Sequence, residues 1–406
     1  MVRLIAPESR QLFAAGAELN VLKHTAIQTE VALSNRDLNR FSPLGNTDNT
    51  GMAVFANIRQ QLLPAAMKKG WELLAAAQYE FAGKQFLSLN PYRPAEFARD
   101  WNVGTVPTTA TEHWARGSLS LQKTGWGTLR YEYGAFLRDS LYDGARHLAQ
   151  ARLQRAGFDV LAEINMLQTN GLTENTRFSR PKFDVAKTFF FKNKKPLFKL
   201  GVYGERERNE RRPTQADTLG MTSFWYDLSR VYLQTPENQG VWQVGASWMH
   251  RNDFVPTQNI FSQNTAADEM NLTGRWTPAP SLKPGGGTQT LSWNLSWRQL
   301  RILDADLTPL EPQQTYLGRV DYTLSAWKSA LALTTGYELG SGQSPRIEFN
   351  YVRVNPGEGQ YTWEDRNRDS ILQVDEMEIA VFQDQANYVR VAVTTTDYLR
   401  TNNVAF

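Results

Sequence analysis

Along most of the chain, apolar and polar residues alternate with a period of two. Between Thr290 and Arg298, Leu291, Trp293, Leu295 and Trp297 share one face, and Ser292, Asn294, Ser296 and Arg298 share the other. Phe158, Val160, Ala162, Ile164 and Met166 oppose Asp159, Glu163 and Asn165, with Leu161 the exception. Trp242–Trp248, Leu129–Leu137 and Phe198–Tyr203 repeat the pattern. Sustained alternation predicts half-buried strands. Thr124-Gly125-Trp126-Gly127 and Lys192–Pro196 read as hairpin turns, Pro278–Gly287 as a longer connection, and Gly240, Gly340 and Gly342 as further turns. The mixed-sign run Glu205–Arg212 is expected to carry a strand into a solvated loop and not to form a basic binding patch. Leu62–Ala77 is rich enough in Ala, Leu and Lys for a helix, but Trp71–Phe81 alternates and the strand is preferred.

Strands of roughly ten residues with their turns give on the order of 16–22 strands over this length. The expected fold is therefore all-β: a long antiparallel meander forming an outer-membrane-type β-barrel or part of one, with stacked β-sheets as the alternative. Uncharged Trp, Leu, Ile and Val stripes suit a lipid face and the inside of a sandwich equally, so periodicity does not choose between them. Residues 1–350 are assigned to the meander. Residues 351–406 are set apart as a segment with an acidic loop and terminal strands, belonging to the same sheet or barrel.

Composition narrows the chemistry. The 406 residues contain no cysteine, which removes disulfides, thiolate metal sites and Cys nucleophiles. The four histidines (His24, His113, His147 and His250) are scattered, so no His-based centre is expected. With 44 Lys+Arg against 41 Asp+Glu, a net charge of +3 gives no reason to expect a nucleic-acid partner. No apolar run is long enough for a spanning helix, which leaves membrane barrels open. Met1–Arg10 is too polar for a leader, so the chain is expected to be a piece cut from a longer precursor. There is no phosphate-binding loop, since Gly285-Gly286-Gly287 is followed by Thr288 and Gln289, and there is no nucleophile elbow.

One segment carries specific chemistry. Counting Asp365 as position 1, oxygen-bearing side chains fall at Asp365, Asn367, Asp369, Gln373 and Glu376, with Ile371 placed to offer its carbonyl. This is the spacing of a calcium loop, in which hard oxygens wrap one cation. Ser370 stands where such loops use Gly, and Arg366 and Arg368 dilute the negative charge. The candidate metal ligands are thus Asp365, Asn367, Asp369, Ile371, Gln373 and Glu376, for a structural Ca2+. The alternative is a metal-free acidic turn.

Around that loop lie Gly357-Glu358-Gly359-Gln360-Tyr361-Thr362-Trp363, then Glu376–Phe382 and Asp384-Gln385-Ala386-Asn387-Tyr388-Val389-Arg390-Val391. Together they resemble a GxGxY…DxNxD…DQAxYxR signature of large uncharacterised outer-membrane or surface β-proteins of the Bacteroidota. Glu96-Phe97-Ala98-Arg99-Asp100-Trp101-Asn102 resembles an EFxRDWN element of the same family. The resemblance implies location and architecture and no particular activity.

The expected function is non-enzymatic: an outer-membrane or cell-surface β-protein with a structural, conduit or scaffold role, such as in a secretion or motility assembly. Its partners would be outer-membrane lipid or protein subunits of a surface complex. An exported, soluble polysaccharide-binding β-module using its aromatic residues is the rival. A carbohydrate-active enzyme is a weaker one, with Glu132, Glu163, Glu205 and Glu338 as the carboxylates to follow.

Overall fold

The computed structural model describes residues 7–405 apart from 43, 65–69, 91, 95, 104–108, 217, 237–239, 280–286, 356 and 368–371. At 46, 343–348 and 392–400 only the backbone is described. Strands take 69% of the described residues and helix 4%, which makes the protein all-β. The strands form a long antiparallel meander.

The chain divides into two units, residues 1–279 with 298–314, and residues 280–297 with 315–406. The first contains β1 (Ser9–Leu22), β2 (Thr25–Asp37), β3 (Thr50–Leu63), β4 (Trp71–Ala82), β5 (Glu112–Lys123), β6 (Gly127–Arg138) and β7 (Tyr142–Arg155). It continues with β8 (Phe158–Gly171), β9 (Glu174–Phe190), β10 (Pro196–Pro213), β11 (Phe224–Gln234), β12 (Trp242–Thr257) and β13 (Ile260–Trp276). Each of these strands pairs antiparallel with the next, without a crossover. The predicted turns at 124–126 and 192–195 lie between β5 and β6 and between β9 and β10. Trp71–Phe81 is a strand as expected, and the run Glu205–Arg212 stays in strand to its end.

Among the described residues the sheet of the first unit is not closed into a barrel. β1 pairs with β2, and all its residues but Ser9 are exposed, which is the pattern of a free edge. The far side of β1 has no second ladder among the described residues.

The long connection 83–111 after β4 folds back over one face of the first unit as a strap. Its only helix among the described residues is α1 (Phe97–Asp100). Phe97, Trp101, Phe136 and Leu167 form a buried cluster, with Trp114, Tyr142 and Phe178 packed against it. The neighbours Trp101 and Asn102 reach Trp114 on β5 (ring centroids 6.3 Å apart) and Asn209 on β10 (3.0 Å). In a flat sheet those strands would lie about 24 Å apart, at ~4.8 Å per strand. The sheet therefore curls around the strap, and the strap face is its concave side.

β14 (Thr288–Ile302) is shared between the units, while β15 (Gln313–Ala326), β16 (Leu331–Arg353), β17 (Tyr361–Trp363), β18 (Met377–Ile379) and β19 (Tyr388–Ala405) follow it. β16 pairs with β15 through Leu331–Gly340 and with β19 through Glu338–Arg353. Gly340 and Gly342 therefore lie inside a strand and not at the turns expected from sequence. Gly340 sits between Leu317 and Asn403, in the short stretch where β16 pairs with both neighbours.

Candidate functional site

The register assigns every side chain of the first unit to one of two faces. On the concave face, strand positions are polar and paired: Lys182 meets Glu163 at 2.9 Å, Lys199 meets Asp159 at 3.0 Å, and Arg116 meets Gln78 at 2.6 Å. Asn165, Thr169, Thr176 and Asn209 are buried there. Near the turns, where the strap does not reach, Asn57, Arg59, Gln78, Arg116, Arg130 and Glu132 line part of a hollow of about 750 Å³. On the opposite face, Leu129, Ile164, Met166, Phe183, Val202, Val231 and Met270 each remain between 42% and 53% exposed. These residues run from β6 to β13, so the exposed apolar area is continuous across the sheet. A soluble sheet buries its apolar stripe and wets its polar one; here the arrangement is inverted. In the second unit Leu295, Leu317 and Leu339 are likewise exposed.

The strap is bolted to the concave face by ions and amides. Arg93 contacts Glu80 at 2.9 Å and Glu112 at 2.8 Å, Arg138 contacts Glu112 at 2.6 Å, and the Arg93 guanidinium lies 4.2 Å from the centre of the Phe97 ring. The Tyr142 hydroxyl donates to the Trp101 carbonyl. Asn102 donates to Thr176 and Asn209 and accepts from Asn209 and Arg211, all between 3.0 and 3.1 Å. It does so from φ 48°, a left-handed conformation that Asn tolerates better than most residues. Gly51 has no room for a Cβ, which would overlap the backbone of Gln85 and Phe86 where the strap crosses β3. At Gly134 an added Cβ would stand 3.3 Å from the Trp101 ring.

Phe97 and Trp101, spaced four apart, give one apolar face of a single helical turn and are the sequence signal for the strap.

Of the predicted calcium ligands, Asp369 and Ile371 lie outside the described residues, as does Ser370. Asp365, Asn367, Gln373 and Glu376 lie on the connection between β17 and β18, which pair with each other. Glu376 is buried. One of its carboxylate oxygens accepts from the Trp363 indole at 2.9 Å; the other accepts from the backbone N–H of Arg366 at 3.1 Å and of Asn367 at 3.4 Å. The fold thus brings the twelfth loop position against the backbone of the second and third. Among the described residues no group of three or more His, Asp or Glu side chains is arranged as a metal site. The donors present are hard oxygens, the type calcium takes.

The flanking motifs fit against each other. Gly359 donates to the Ala386 carbonyl at 2.9 Å, Gln360 to the Tyr388 carbonyl at 2.8 Å, and Asn387 to the Tyr361 carbonyl at 3.1 Å. A Cβ on Gly359 would stand 2.6 Å from the Tyr388 nitrogen, so only Gly fits.

The four carboxylates considered for glycoside chemistry sit on β6, β8, β10 and β16. Glu132 pairs with Arg130, Glu163 with Lys182, and Glu338 with Arg319, while Glu205 accepts from the Tyr203 and Tyr226 hydroxyls. No protein-family model matches the chain, and no curated protein matches it.

Proposed function

We propose that this protein is a non-enzymatic outer-membrane or cell-surface β-protein whose sheet meets lipid on its convex, apolar face and water on its concave, strapped face. The observation that carries this reading is the inverted patterning of β6–β13, with exposed Leu, Ile, Met, Phe and Val outside and ion pairs inside. Several hundred Å² is the usual limit of one apolar patch on a soluble monomer, whereas here exposed Leu, Ile, Met, Phe and Val recur from β6 to β13. The strands are also long enough, at 11 residues or more, for the roughly 9–11 that span a bilayer as a tilted strand. The work of such a molecule is structural: a wall, conduit or scaffold in a surface assembly, as the likeness to Bacteroidota surface proteins implies. The acidic loop would bind a structural Ca2+ that stiffens the β17–β18 connection.

The test is partition. The full chain is expected to require detergent or lipid to stay monodisperse, and to float with phosphatidylcholine vesicles after an alkaline carbonate wash. A folded, monodisperse protein in detergent-free buffer that fails to float would overturn the reading and favour the soluble polysaccharide-binding module.

A further inference from the structure

The convex face of the first unit is not uniform from end to end. At the end carrying the turns 124–126, 156–157 and 191–195, its cations rest on aromatic rings. The Lys123 ammonium lies 4.6 Å from the centre of the Trp71 ring and 4.4 Å from that of Trp126. The Arg155 guanidinium lies 3.6 Å from Trp126, and the Lys187 ammonium 3.9 Å from Phe158. Lys187 also donates to the Ala156 carbonyl at 2.7 Å, and no ion pair joins Lys123, Arg155 or Lys187 to a carboxylate among the described residues. At the opposite end of the same face Arg206 and Arg208 also lie over a ring, that of Trp225, but there ion pairs form: Arg206 with Asp227 at 2.6 Å, Arg208 with Glu210 at 2.7 Å, and Arg301 with Asp268 at 2.6 Å.

A ring occupies one side of a cation and leaves its other side open to an anion. Indoles favour the boundary between hydrocarbon and headgroups, and Lys and Arg just beyond it meet phosphate. The exposed apolar band begins next to this rim, at Leu129, Leu153 and Val185. That places the six rim residues at headgroup depth if the band lies in hydrocarbon.

We propose that this rim is a phosphate-binding belt, in which Lys123, Arg155 and Lys187, backed by Trp71, Trp126 and Phe158, hold the phosphodiester headgroups of anionic glycerophospholipids. The inference rests on the membrane reading above. The leaflet follows from connection length: the turns between the rim strands at 124–126, 156–157 and 191–195 have two to five residues, whereas the two longest connections of the first unit, 38–49 and the strap at 83–111, leave the opposite end. In outer-membrane proteins short turns face the phospholipid leaflet and long loops the exterior.

The experiment measures headgroup selection by electron spin resonance of spin-labelled lipids, with the full chain in phosphatidylcholine vesicles. Spin-labelled phosphatidylglycerol is expected to associate about fivefold more strongly than spin-labelled phosphatidylcholine, the weight of about one cation at an anionic surface. Lys123→Gln/Arg155→Gln/Lys187→Gln should bring the ratio to about one, and Lys123→Arg/Lys187→Arg should preserve it. The charge-matched control Arg206→Gln/Arg208→Gln/Arg301→Gln should also keep the wild-type ratio. Selection that survives the rim triple variant, or falls equally in the control, overturns the belt. So does a loss confined to spin-labelled lipid A, which would put lipopolysaccharide phosphates at this rim. Entry into vesicles without any headgroup selection overturns the belt alone; failure to enter overturns the membrane reading and the belt together.

Discussion

Asn102 is the most concentrated polar contact between the strap and the sheet, and Asn102→Ala measures what the strap contributes. The substitution deletes four hydrogen bonds, two of them to Asn209. Thr176 retains Thr169 at 2.7 Å and Arg211 retains Glu174 at 2.8 Å, so Asn209 carries most of the loss. At a net value of about 1 kcal/mol per neutral bond, and about 1–3 kcal/mol for a buried group left unpaired, the cost is about 3–5 kcal/mol. Holding Ala at φ 48° adds about 1 kcal/mol, which Gly avoids. Asn102→Ala should therefore be the less stable of the two variants by about 1 kcal/mol, with Asn102→Gly itself clearly below wild type. Urea unfolding in detergent, followed by near-ultraviolet dichroism of the Trp101–Phe136 cluster, gives both numbers. Limited chymotrypsinolysis gives the local readout, because Phe97 and Trp101 are buried while the strap is docked and become accessible only after it lifts. If both variants unfold within about 0.5 kcal/mol of wild type and Trp101 stays protected, the strap is held by its aromatic rings and the amide argument is wrong.

Val202→Arg places a charge in the middle of the convex face; it should cost about 2–4 kcal/mol when the protein is folded in a bilayer. The same variant losing no stability in lipid would show that this face does not meet hydrocarbon. Gly51→Ala should destabilise by about 1–3 kcal/mol because the strap backbone must move, while Gly117→Ala, whose nearest neighbour would be the Ala76 carbonyl at 4.0 Å, should stay within about 0.5 kcal/mol. Thermal unfolding of the two variants, compared side by side, checks the pair, and equal losses would refute the close crossing. Excess calcium should raise the melting temperature relative to chelator, and Asp369→Ala should shrink that difference. Identical melting of wild type and Asp369→Ala in both conditions would leave only an acidic turn.

The strands were legible because alternation is a one-dimensional property, written into segments such as Leu129–Leu137 and Phe158–Met166 without reference to anything distant. The direction of the stripes was not. Leu295 obeys the same period whether its face meets lipid, a second sheet or water, and only the strap at Phe97–Asn102 marks which side of the first unit is concave. Gly340 and Gly342 were misread as turns because glycine in an extended strand leaves the same trace in sequence as glycine in a bend. β16 exchanges its pairing partner there, and long-range pairing has no local signature. The acidic loop announced its ligand spacing, but the part played by Glu376 as acceptor for Trp363, Arg366 and Asn367 depends on the β17–β18 pairing.

The anchorage of the strap also fixes an order of events during folding. Asn102 is separated from Thr176 by 74 positions and from Asn209 by 107, so its partners are synthesised long after it. Until the hairpins through β10 have formed, Phe97 and Trp101 have no completed surface to occupy. Contacts of such long sequence separation form slowly, since chain entropy is lost before they are gained. Docking of the strap is therefore a late step. In the interval before it, an aromatic segment stands uncovered and is a ready target for a holding chaperone.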